Sequence, residues 1–85
     1  MVALAHDQHV DWPRVIADLT AAGHTSRTIA KQIGLGERRE STVRAWLVIE
    51  CEPRHDHGER LIGLWCRVMR VQRERVPIVS RYAAR

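Results

Sequence analysis

Hydrophobic positions along the chain fall into four stripes at helical spacing. Trp12, Val15, Ile16 and Leu19 recur at i, i+3, i+4 and i+7, which places them on one face of a helix. Asp11 stands at the N-cap position and Pro13 in the first turn, where its missing N–H is harmless. Gly23 supplies a left-handed stop. The pattern predicts a helix over about 12–22. Ile29, Ala30 and Ile33 then face inward on a shorter helix, capped by Thr25 or Ser26 and stopped by Gly34. A helix of that length depends on packing against its neighbours. After the connection 35–40, from which Leu35 is expected to plug into the core, Val43, Trp46, Leu47 and Glu50 share one side of a third helix. Glu40 or Ser41 begins it, and it ends near Cys51, ahead of Pro53. Leu61, Leu64, Trp65, Val68, Met69 and Gln72 predict a fourth and longest helix over about 57–75, with Asp56 and Glu59 as a capping box and Pro77 barring continuation.

The flanks lack this periodicity. Residues 1–10 read as a loose arm with solvent-facing His6 and His9. The segment from Val76 to Tyr82 has the β-branched content of a short strand, but a lone strand has nothing to pair with in an otherwise helical monomer. It is therefore either a dimerisation strand or a basic tail. The expected organisation is an arm over 1–10, a helical domain over 11–75 and the tail or strand over 76–85. Eighty-five residues hold one modest core. With no Phe and one Tyr, its aromatic mass falls to Trp12, Trp46 and Trp65. The fold class is all-α, a small four- to five-helix domain.

Charge changes this picture. The net charge of +4 is unevenly placed: residues 60–85 carry seven arginines against one acid, Glu74, while residues 1–59 are slightly acidic. A basic segment on a near-neutral domain suits a polyanion, most economically nucleic acid. Two cysteines without a secretory leader point to a reducing cytoplasm, and the longest strongly apolar run, Ala45 to Ile49, is too short to span a bilayer. Cys51, His55, His57 and Cys66 are zinc-ligand types, but the paired short spacings of structural zinc sites are missing. A buried Cys66 thiol is the simpler expectation. Phosphate loops, nucleophile elbows and converging carboxylates are likewise missing. The expectation is no enzyme, no cofactor or metal, no membrane and no small-molecule substrate.

Two short helices about a glycine-bearing turn are the pattern of a helix-turn-helix. On the outer faces stand Ser26, Arg27 and Lys31 of the second helix, Arg38 and Arg39 of the connection, and Glu40, Ser41, Thr42, Arg44, Ala45 and Val48 of the third. The third helix, over 41–50, would enter the major groove, with Arg44 able to pair with guanine, while Arg27 and Lys31 hold phosphate. The segments Ser-Arg-Thr-Ile-Ala-Lys-Gln-Ile-Gly (26–34) and Ser-Thr-Val-Arg-Ala-Trp-Leu (41–47) resemble the helix-turn-helix of phage repressors and Cro-like regulators, the lambda-repressor-like family. The resemblance covers roughly residues 25–48, and more loosely the layout from Trp12 to Met69. It implies a DNA-binding transcription regulator acting as a homodimer. Ala30 matches the helix-crossing alanine, Gly34 the turn glycine, Val43 and Trp46 the buried positions, and Ser41 and Arg44 the DNA-facing ones. The departure is the connection Gly36–Glu40, about three residues longer than the family's turn. The first base-contacting residue is accordingly Arg39, Glu40 or Ser41. Alternatives are a DNA-binding subunit of a phage packaging, excision or transposition complex, and a protein-interaction module.

Overall fold

The first stripe forms α1 (Trp12–Ala21) in the computed structural model, which describes residues 8–48 and 51–80. Asp11 caps it by accepting the Arg14 backbone N–H at 3.2 Å, and Gly23, at φ 102°, completes the stop. The second stripe forms α2 (Ser26–Gln32), the third α3 (Glu40–Ala45) and the fourth α4 (His55–Met69). Four helices and one two-stranded sheet make up the described residues, a small and mostly helical domain. None of these helices is long and apolar enough to cross a membrane.

One core joins all four helices. Val15, Ile16 and Leu19 of α1 meet Leu61, Ile62, Leu64 and Trp65 of α4, with Ile29, Ala30, Ile33, Val43 and Trp46 from the α2–α3 side. All three tryptophans are buried, as the aromatic shortage of the sequence requires. The Trp65 indole N–H donates to Asp18 Oδ2 at 3.0 Å, and the other Asp18 oxygen accepts from Arg14 Nε at 3.1 Å. A buried indole therefore keeps its donor satisfied. Gly58 is buried where α4 meets Trp12: a Cβ there would stand 3.1 Å from the indole ring.

Several expectations are corrected. The fourth helix starts at His55 with Arg54 as an N-cap that makes no side-chain bond, so Asp56 sits inside the first turn and is no cap. The backbone N–H of His57 holds the Asp56 carboxyl below its usual pKa. That helix also stops six residues early, at Met69. Arg70 adopts the left-handed conformation (φ 58°), and the Val71 N–H returns to the Cys66 carbonyl at 3.2 Å, a Schellman-type ending. A non-glycine residue there costs about 1–2 kcal/mol. The reversal leaves Met69 and Gln72 exposed but lets Val76, after a 3-10 turn at Arg73–Arg75, reach the core.

The third helix is shorter than 41–50. Beyond Ala45 the chain tightens to i→i+3 bonds, from Trp46, Leu47 and Val48 to Val43, Arg44 and Ala45 respectively. At three residues per turn, positions three apart eclipse one another. Trp46 thus stays above buried Val43, while Leu47 falls above outward Arg44 and is exposed. Leu47 is not the inward residue that a 3.6 period assigns. Glu50 lies outside the described residues.

The tail strand finds its partner within the chain. Strand β1 (Gln8–Val10) pairs antiparallel with β2 (Ile78–Ser80) in the register Gln8↔Ser80, His9↔Val79 and Val10↔Ile78. The end of the expected loose arm is therefore structured, and the Asp11 N–H fastens the junction by donating to the Pro77 carbonyl at 2.8 Å. His9 is half-buried and lies 3.2 Å from Glu52 instead of facing solvent alone. Arg81, Tyr82, Arg85 and His6 lie outside the described residues.

Candidate nucleic-acid interface

Local sequence fixes the start of α2. Thr25 Oγ1 accepts the Thr28 N–H at 3.1 Å and Thr28 Oγ1 accepts the Thr25 N–H at 2.8 Å, a reciprocal capping box built from two threonines. The end of α2 is fixed from elsewhere. Gly34 (φ 82°) breaks the helix, and the Leu35 and Gly36 N–H groups both return to the Ala30 carbonyl at 2.9 and 3.1 Å. Arg60 of α4 reaches across to donate to the Ile33 carbonyl at 3.1 Å. Its guanidinium fills the space beside Gly34, where an added Cβ would lie 2.7 Å from Nη1. Arg60, the first of the seven arginines in the basic segment 60–85, is thus the support of the turn. No sequence spacing marks that role.

The lengthened connection is a second piece of structure. Gly36 (φ 99°) redirects the chain and Glu37–Arg39 form a 3-10 turn that leads into α3. The turn packs on α2, and α2 packs on α3 through buried Ile29, Ala30 and Val43. Half-buried Leu35 packs against the core from the connection, in the plugging position expected of it.

The eleven expected interface residues all reach the surface. Arg27, Lys31, Arg38, Arg39, Ser41, Arg44, Ala45 and Val48 are exposed, and Ser26, Glu40 and Thr42 are half-buried. Their charges are not equally open. Arg27 Nη2 lies 3.3 Å and Lys31 Nζ 3.7 Å from the Glu37 carboxylate, and Arg44 lies 3.6 Å from Glu40 one turn before it. Arg38 and Arg39 form no ion pair among the described residues. Glu37 stands outside the expected set, because its link to α2 passes through two left-handed glycines that a linear pattern does not resolve.

Three arginines of the basic segment 60–85 are already engaged within the fold. Arg60 is committed to α2, Arg70 caps the helix and Arg73 pairs with Glu59 at 2.7 Å. Elsewhere, a cleft of about 360 Å³ lies between β1, the 52–54 connection and the first half of α4, lined by Val10, Trp12, Pro53 and Ile62 among others. None of the interface residues borders it. Among the described residues no three His, Cys, Asp or Glu side chains converge as a metal site would require. Cys51 is exposed, whereas burial pushes the Cys66 thiol up in pKa.

Comparison of the chain with protein-family models, with curated proteins and with solved structures found no match.

Proposed function

We propose that this protein is a sequence-specific duplex-DNA-binding transcription regulator of phage or bacterial type, acting in the cytoplasm as a homodimer. The observation that carries the reading is the α2–turn–α3 unit, whose outward residues are small, polar or charged, with five cations against the two acids Glu37 and Glu40, and whose inward residues form part of the core. Arg44 extends from α3 where a guanidinium can pair with a guanine. Ala45 and Val48 stack outward beside it and supply apolar surface for a thymine methyl group. Arg38 and Arg39 offer uncommitted charge to phosphates at the mouth of the groove. A six-residue α3 contacts few bases, so two copies on half-sites about 34 Å apart provide the specificity that one lacks. Occlusion of promoter DNA makes it a repressor.

Selection from random duplexes at two salt concentrations tests the reading, because phosphate contacts make affinity fall steeply with salt. Arg44→Ala is expected to weaken the selected site by ~1–3 kcal/mol with an unchanged melting temperature. An unaltered sequence preference in that variant would overturn α3 as the reader. A protein-interaction module is the second reading, favoured by exposed Leu47 beside Val48. It expects no salt-dependent affinity for DNA.

A further inference from the structure

Arg27 and Lys31 lie one turn apart on α2, so their side chains share a face. Both converge on one carboxylate. Glu37 directs Oε2 to Arg27 Nη2 at 3.3 Å and Oε1 to Lys31 Nζ at 3.7 Å, bridging the two cations from the 3-10 turn. The Arg27 and Lys31 side chains are 66% and 72% exposed and that of Glu37 45%. Water competes at every partner, so the bridge is weak and readily exchanged. Its geometry nevertheless shows that the two cations can hold one oxyanion between them. A carboxylate and a phosphodiester each present one negative charge over two acceptor oxygens, and both suit a guanidinium and an ammonium.

We infer that Arg27 and Lys31 form a two-cation seat for a single DNA backbone phosphate, and that Glu37 is its resident occupant in the uncomplexed protein. The inference rests on the DNA-binding reading above. Engagement of the duplex exchanges one anion for another: the phosphate enters, and the Glu37 carboxylate swings into water. Since that exchange is blind to sequence, Glu37 lowers affinity for every duplex and leaves discrimination to the side chains of α3. The lengthened connection thereby acquires a role. Its extra residues carry the acid back over α2 while presenting Arg38 and Arg39 outward.

The test is the affinity of the full chain for a labelled random-sequence duplex at low salt, measured by anisotropy for wild type, Glu37→Gln, Lys31→Gln and the double variant. Glu37→Gln keeps the shape of the side chain and removes its charge. It is expected to bind roughly two- to fivefold tighter, the scale of an exposed pair released. Lys31→Gln is expected to weaken Glu37→Gln more than it weakens wild type, since the seat is open only in the former. Equal or weaker binding by Glu37→Gln, as a simple staple of the turn would give, overturns the seat while salt-dependent wild-type binding leaves the DNA reading standing. A gain that does not depend on Lys31 also overturns it, as a general charge effect. Absence of low-salt binding by wild type and Glu37→Gln alike overturns the DNA reading and the seat together.

Discussion

In the α1–α4 pair, seven apolar side chains from Val15 to Trp65 are buried against one another, and an indole–carboxylate bond links the helices across the seam. The α2–turn–α3 unit is made differently. Its helices have seven and six residues, its inward contribution is a few side chains, and its outer surface is held by exposed ion pairs and two left-handed glycines. The first region draws its stability from area removed from water, at roughly 25 cal/mol per Å². The second holds its shape because it leans on the first, through Ile29, Val43 and Trp46 in the shared core and through Arg60 at the turn. This division suits a recognition surface, since side chains that carry little stability are open to exchange partners.

The comparison is most exposed to failure at Trp46, the aromatic anchor that ties the end of α3 into the core. Trp46→Ala is expected to cost ~3–5 kcal/mol in urea unfolding, as for large aromatic truncations in cores. Near-native stability would mean that the unit does not depend on the shared core. At Gly34, alanine meets both a left-handed backbone and the Arg60 guanidinium, so Gly34→Ala is expected to cost about 2 kcal/mol from strain and the displaced bond. Thermal melts of Gly34→Ala, alone and with Arg60→Ala, separate the two contributions. At Glu40, whose pairing with Arg44 is solvent-exposed, Glu40→Gln is expected to change stability by no more than about 0.5 kcal/mol. A larger loss would show that the charged surface is structural after all.

Much of the fold is legible in the residues. Helical spacing located all four helices, the Asp11 cap and the Gly23 and Gly34 stops are local chemistry, and a chain without Phe had to bury its tryptophans. Where helices end by tertiary demand, periodicity overshot. Nothing in the run Met69–Arg75 forbids a helix, yet Arg70 turns left-handed because Val76 must reach the core and β2 must meet β1. The pitch change after Ala45 likewise turned Leu47 outward. On α2, its connection and α3, the residues identify which side chains are outward, but not which charges are already paired.

The sequence by itself determined where the four helices lie, the inward faces of α1 and α2 and the outward placement of the residues on α2 and α3, because each of these follows from neighbours within one or two turns. Tertiary structure decided how the longer connection is used, the support of its first glycine by Arg60, the capture of Glu37 by Arg27 and Lys31, and the pairing of the two chain ends. Those contacts join residues across changes of chain direction, where the partner of a side chain is set by the angles at Gly34, Gly36 and Arg70 and not by any spacing along the chain.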